Sequence, residues 1–375
     1  MAVAATPPSF ATLGEAAQWY ERWLVDVALP YWVSVGFDLE SGGFHERLTE
    51  AGPDRAAPRR ARVQARQIWT YATAARLKVG SSYFHTAYSA YEAFLRRYRR
   101  ADGLMVSAVA PGGEPAPGPA SLYEQDFALL CMASLYAVRP SATLLAEAQG
   151  LRAAMEAFRH SAGGFRETDE HPFQSNAHMH LLEASLAWEE LGQADWAGLS
   201  DEVVELALTR FIDPKGGFLR EFFDADWRPA SGEDGRRLEP GHQFEWAWLL
   251  DRWGARRGNA QALAAARRLF ACGQAGVDPV RKVAVNALSD DLSSRDANAR
   301  LWPQTEYLKA ALRLGHEADA LTAAQGLSAY LGQPAPGAWR DVQRPDGSFV
   351  DQPAPATSFY HLAGAVFALI HRDGG

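Results

Sequence analysis

Histidines, arginines and carboxylates recur at helical spacing in stretches that are otherwise apolar, and ionisable groups set in an apolar wall are candidates for proton transfer. In RVQARQIW, Arg62, Arg66 and Trp69 fall at i, i+4 and i+7, so two guanidinium groups and an indole share one helical face. An arginine so placed can donate a fork of hydrogen bonds to sugar hydroxyls or to a carboxylate; the competing possibility is a solvent-facing stripe held by a salt bridge. In NAHMHLLEA, His178 and His180 stand about 200° apart around a helix, so only one of them can face a common centre. Asn176, His180 and Glu183 share a face, which selects His180, and an HxH pair of metal ligands would suit a strand better than this helix. In EPGHQFEWAWLL, Pro240 and Gly241 mark a helix start, with His242 in the first turn and Glu245 one turn on. A histidine beside a carboxylate is the usual arrangement for acid–base work near neutral pH, against the alternative of a capping histidine with a structural glutamate. His361 in SFYHLAGAVFAL is a polar intrusion that gains weight from the company of the others. Trp69, Trp246, Trp302 and Tyr360 lie beside these groups, where aromatic faces could receive the C–H faces of a sugar or simply fill the core.

Elements that could bring such distant residues together are written as a repeat. Gly-rich turns flanked by short β-like runs carry markers at Gly43, Gly103, Gly164, Gly217, Asp278 and Gly347, in steps of 60, 61, 53, 61 and 69 residues. Each step is long enough for two helices and a hairpin. Helical apolar spacing predicts twelve helices: 16–32, 62–77, 83–99, 123–138, 144–159, 176–191, 199–211, 242–253, 260–273, 301–314, 317–331 and 358–371. Six helical hairpins close into a toroid, which predicts an all-α (α/α)6 barrel forming a single domain over 1–375, with short β-hairpin loops at one mouth. Closure would bring Arg66 near His361.

The chain has 375 residues, 47% of them hydrophobic, enough for a large core. A net charge of −8, from 37 Lys plus Arg against 45 Asp plus Glu, argues against nucleic acid or an anionic membrane as partner. Residues Met1 to Phe10 lack the basic and apolar regions of a signal peptide and no stretch is apolar enough to span a bilayer, so a cytoplasmic protein is expected. Cys131 and Cys272 read as buried free thiols, with neither a disulfide scaffold nor a zinc site.

Taken in order, GGFHERL, VQARQIW, NAHMHLLEA, EPGHQFEW, RLWPQTE and SFYHLAG resemble the N-acylglucosamine 2-epimerase superfamily, which includes D-mannose isomerases, sulfoquinovose isomerases and cellobiose 2-epimerases, over nearly the whole chain. That family is built on an (α/α)6 barrel. The resemblance implies that His242 and His361 are the acid–base pair, and that Arg66 stabilises substrate and intermediate. It further implies that His180, Asn176 and Glu245 touch the sugar, that Trp302 packs on it, and that Tyr123 and Glu183 belong to the same set. Either Arg236 or Arg237 would supply an arginine near the His242 helix. The VQARQIW, EPGHQFEW and RLWPQTE segments are most similar to the mannose isomerase group, which implies reversible conversion of D-mannose to D-fructose through a cis-enediolate, with no metal or other cofactor, by a monomer or homodimer. The alternatives are a sugar 2-epimerase acting on acetamido sugars or disaccharides, a sulfoquinovose-type isomerase, and a sugar-binding barrel without turnover. A glycoside hydrolase would need two carboxylates facing each other across the cleft.

Overall fold

In the computed structural model, which describes residues 8–80 and 82–372, all twelve expected helices are present. The first is α1 (Leu13–Arg22), continued by π-helical turns on either side of the short α2 (Leu29–Tyr31). Then come α3 (Ala61–Arg76), α4 (Tyr83–Tyr98), α5 (Leu122–Val138), α6 (Ala142–Ala154), α7 (Ser175–Glu190) and α8 (Ala197–Leu206). The last five are α9 (Pro240–Arg257), α10 (Ala260–Gln274), α11 (Leu301–Arg313), α12 (Glu317–Ser328) and α13 (Thr357–Ile370). The helices α3, α5, α7, α9, α11 and α13 pack in a ring, each on the next, and α13 closes it against α3. The outer helices α4, α6, α8, α10, α12 and α1 cover them, giving the (α/α)6 barrel. Composition follows position: α4 buries only a stripe (Ala87, Ala90, Tyr91, Ala93, Phe94, Tyr98), whereas α5 is buried on all sides from Leu122 to Leu135, except Tyr123. No helix among the described residues is long and apolar enough to cross a membrane.

A tight hairpin follows each outer helix, with closing pairs Phe37–Phe44, Arg99–Met105, Arg159–Phe165, Ile212–Leu219, Val277–Ala284 and Leu331–Trp339. The next inner helix holds the second residue of the pair. Gln64 accepts from Phe44 N at 2.7 Å and donates to Phe44 O at 2.9 Å. Gln125 does the same for Met105, Gln243 for Leu219 and Gln304 for Ala284, while Phe165 N donates to His178 Nε2 at 3.0 Å. In the sixth repeat Phe359 packs on Trp339 instead, 5.4 Å between ring centroids. Each clamp sets the axial register of one inner helix against its hairpin. The sixth sequence marker needs correction: Gly347 lies in a second hairpin, closed by Gln343–Phe349, and the equivalent of the other five is Leu331–Trp339, which explains the long last step.

None of the inner helices has a side-chain cap from its own N-cap residue. In five of the six repeats the residue two past the clamped hairpin position supplies a side-chain acceptor near a helix start instead. Glu46 accepts from Arg60 N, Glu167 from Leu122 N and Tyr123 N, Glu221 from Glu239 N, Asn286 from Arg300 N and Asp341 from the Ser358 hydroxyl. Short antiparallel pairs, among them Arg59–Arg60 with Ala108–Val109 and Ala354–Pro355 with Arg47–Thr49, stitch neighbouring repeats at this same mouth. Cys131 is buried as expected; Cys272 is only half-buried, because its place on outer helix α10 borders solvent, and both are free thiols.

Candidate active site

The clamps place chemistry in tiers. Two residues before each clamp stand Arg62, Tyr123, Asn176, Gly241, Trp302 and Thr357; all but Gly241 line a cavity of about 430 Å³ at the hairpin mouth. Two residues after each clamp stand Arg66, Phe127, His180, Glu245, Glu306 and His361. Arg66, His180, Glu245 and His361 reach the cavity floor, and Phe127 and Glu306 back them. Gly241 is required by a close approach: a Cβ there would lie 2.4 Å from the Trp302 ring.

His242 and His361 both face the cavity, on α9 and α13, and each has Nδ1 against a carboxylate. His242 Nδ1 is 2.7 Å from Glu221 Oε2, with Glu239 at 3.9 Å. Burial opposes a charge on this ring, but the two carboxylates outweigh it and push its pKa up to about 9. His361 Nδ1 is 2.9 Å from Glu306 Oε1, yet burial, with help from Arg66 and Lys309, brings its pKa down to about 3. At neutral pH one imidazole is therefore a cation and the other is neutral. With Nδ1 engaged on both, the remaining nitrogens offer a proton donor at His242 and a proton acceptor at His361. The Trp302 ring lies between them, 5.0 Å from His242 and 5.8 Å from His361 by centroid.

Arg66 donates to the Tyr123 hydroxyl at 2.8 Å and to Thr357, and its guanidinium sits 4.1 Å over Phe127. Its Nε has no protein partner. His180 Nδ1, 3.6 Å from Glu183 and 3.8 Å from Glu245, is too far from either for a hydrogen bond and is also unpartnered, as are Asn176 Oδ1, Glu245 Oε1 and Trp302 Nε1. Burial pushes the Glu245 carboxyl well above the usual carboxylate range, and Glu306 and Glu183 reinforce the effect, so a neutral acid able to donate a hydrogen bond faces the cavity. Burial brings His180 down to about 4, leaving a neutral ring.

Several expectations are corrected by this geometry. Glu245 is not the partner of His242: one turn along α9 carries it toward His180 and Glu306, and Glu221 takes that place. Glu183 shares a face with His180 but lies a turn deeper, bonded to the Tyr360 hydroxyl and lining the far side of the barrel floor. Trp69 and Tyr360 face that far side too, and Trp246 is fully buried in the wall against Phe211, which leaves Trp302 as the cavity's indole. Arg236 bonds Asp290 and Arg237 bonds Glu239; the arginines at the cavity beyond Arg62 and Arg66 are Arg60 and Arg300. His178 points away, as expected, with both ring nitrogens used by Phe165 N and Gln174 O.

Glu221 and Glu306 were missed by the sequence reading. Glu221 carried a usable signal: GGFHE, GGFRE and GGFLRE each end on the acceptor that follows a clamped residue by two, at Glu46, Glu167 and Glu221. Glu306 sits inside the quoted RLWPQTE segment, two residues beyond its clamp.

Two triads, His180 with Glu183 and Glu245, and Glu245 with Glu306 and His361, bring donor atoms within 4.8 Å of one another. The Lys309 ammonium, 2.8 Å from Glu306, already places a cation in that cluster, and Glu306 and His361 are bonded to each other. Such a set is not an open coordination site, and no metal is assigned to it.

Comparison with known proteins agrees with this architecture. A sequence profile described as N-acylglucosamine 2-epimerase (GlcNAc 2-epimerase) matches residues 42–365. A mannose-6-phosphate isomerase of Rhizobium meliloti (strain 1021) is 46% identical over 366 residues, covering 92% of this chain and 95% of that protein. Among solved structures, the cellobiose 2-epimerase from Spirochaeta thermophila DSM 6192 superposes with a TM-score of 0.85 at 22% identity, covering 96% of this chain and 97% of that one. A D-mannose isomerase superposes with a TM-score of 0.85 at 18% identity, covering 97% and 99%. At these identities the two structures speak for the fold alone.

Proposed function

The chain belongs to the N-acylglucosamine 2-epimerase family, and we propose that its reaction is the reversible aldose–ketose isomerisation of D-mannose to D-fructose. It is an enzyme of the sugar isomerase and epimerase kind. One observation carries the finer reading: two imidazoles, each with Nδ1 on a buried carboxylate, face one cavity and both border the same indole.

In the proposed course the ring-opened sugar lies with C1 and C2 near Trp302. His361 Nε2 takes the proton from C2 as His242 Nε2 gives its own to the C1 oxygen; Arg66 stabilises the enediolate charge that develops on the oxygens before that proton is fully delivered, and the intermediate is the cis-enediol. His361 then delivers its proton to C1 while the hydroxyl hydrogen on the C2 oxygen passes to His242. Fructose results and both histidines return to their starting states. The unpartnered groups on Asn176, His180 and Glu245 would take the sugar's hydroxyls, and positive charge comes from Arg66 and His242 without a metal.

The Rhizobium meliloti relative is named for a phosphorylated sugar. Arg60 and Arg62 at this cavity are each tied to a carboxylate, Glu46 and Glu124; Arg300 lies over the Trp302 ring and acts on Glu239, and Glu167, Asp169 and Asp341 also line the wall. A wall so balanced favours a neutral sugar over a phosphate dianion.

A proton NMR time course in deuterated water, with D-mannose and D-mannose 6-phosphate as parallel substrates, tests both points. Fructose appearing from free mannose, with deuterium entering, is the expected result. Glucose as first product would make the chain a 2-epimerase, and turnover of the phosphate ester alone would overturn the free-sugar reading.

A further inference from the structure

The two histidine stations have the same local design and the opposite charge, so something beyond the imidazole–carboxylate pair must decide. At the His242 station, Glu239 is answered by Arg237 and Arg300, but Glu221, the carboxylate bonded to the ring, meets no cation among the described residues other than the histidine itself. At the His361 station, Glu306 is engaged from its other side. Lys309, one turn along α11, places Nζ 2.8 Å from Glu306 Oε2, and Trp248 Nε1 donates to the same oxygen at 2.9 Å. Lys309 approaches from below the barrel floor, its ammonium 4.3 Å over the Trp248 ring, and lines the far-side cavity rather than the site.

We infer that Lys309 is a positioning residue for the reaction: by neutralising Glu306 from beneath the floor, it keeps His361 the uncharged member of the pair and therefore the group that takes the C2 proton. The base assignment rests on the function proposed above; the electrostatic role does not.

The groups facing His361 can be named element by element. From α3 comes Arg66, whose charge opposes protonation of the ring. From α9 comes Glu245, held neutral by burial, and from α11 come Glu306 and Lys309. Of these, Glu306 is the one anion that would favour an imidazolium, and Lys309 is its counter-ion. Without the ammonium, a bare buried carboxylate 2.9 Å from Nδ1 would draw a proton onto His361, as Glu221 does for His242. A protonated His361 has no lone pair with which to remove the C2 hydrogen. Burial of Lys309 also disfavours its own charge, but Glu306, and after it Glu183, hold its pKa above the usual value.

The test reads the ring itself. In the full-length protein with 13Cε1-labelled histidine, the His361 resonance, assigned by its loss in H361Q, should not titrate between pH 5 and 8 in the wild type. In Lys309→Met it should titrate inside that window, an upward shift of roughly 2 to 3 pH units, and Lys309→Arg, which keeps the cation, should restore the wild-type behaviour. With mannose as substrate, the acid limb of kcat/KM should move up in K309M and not in K309R, a movement that a purely packing role would not produce. The E306Q background supplies the second arm, because there the Lys309→Met change should no longer move His361. An unshifted His361 in folded K309M, a shift in K309R as large as in K309M, or a shift surviving in E306Q would overturn the inference. The titration needs no substrate, so failure of the wild type to isomerise mannose would remove the proposed reaction while leaving this result readable.

Discussion

On the hairpin side of the barrel floor polar atoms are left without protein partners, whereas on the far side the same six helices pair theirs off. Among the cavity-lining residues, Arg66 Nε, Asn176 Oδ1, His180 Nδ1, Glu245 Oε1 and Trp302 Nε1 are unpaired; Gln67 Oε1, both Asp126 carboxylate oxygens and Trp246 Nε1 are buried without partners in the helix wall beside them. A turn lower, Glu183 holds Tyr360, Arg252 holds Glu190, and Lys309 and Trp248 both hold Glu306. A buried polar group without a partner costs about 1 to 3 kcal/mol. A fold that satisfies one tier and leaves the next open has donors and acceptors waiting for hydroxyls it does not itself contain.

The sharpest way to break this contrast is to remove the two groups assigned to proton transfer. His361→Ala and His242→Ala should each lower kcat by about 10²–10⁴-fold with circular dichroism and melting unchanged in form; near wild-type turnover in either folded variant would take that histidine out of the mechanism. Arg66→Met comes next. It removes a preorganised cation beside the developing charge and should cost about 10²-fold or more in kcat, with the loss in kcat exceeding any change in KM. An effect confined to KM would make Arg66 a binding group only.

The third test concerns pH. Because the His242 pKa is raised to about 9, its acid form persists through neutrality and is lost as pH rises through that value, so kcat should fall on the alkaline side near there. Glu221→Gln removes the carboxylate that holds the proton and should bring this limb toward neutrality. An unmoved limb in E221Q would assign it to another group. The smallest effect is expected on the far side. Arg252 and Glu190 form a partly exposed pair worth about 0 to 1 kcal/mol, so Arg252→Ala should leave kcat/KM unchanged and lower the Tm by a few degrees at most. A tenfold loss of activity would show that the satisfied tier is not merely structural.

Much of this was legible residue by residue. Helical spacing located the inner helices to within two or so residues at most ends, and it separated His180 from His178 correctly, because 100° per residue leaves no choice. The same spacing misled at Glu245. Neighbours on a helix face in sequence suggested a His242–Glu245 pair, but the partner arrives from a non-helical segment that Gln243 clamps 24 residues earlier in the chain. Glu183 failed for a related reason: a shared face does not fix depth along the barrel axis, and one further turn carried it below the floor.

By itself the sequence determined the periodic helices, the hairpins between them, and the identity of the polar residues on the inner faces, since these follow from local spacing and turn chemistry. What only the tertiary structure decided is the charge each of those residues carries. The states of His242, His361 and Glu245 depend on burial and on carboxylates and cations a few ångströms away that come from other repeats and other turns, and at such distances in a poorly screened interior the through-space neighbours outweigh anything adjacent along the chain.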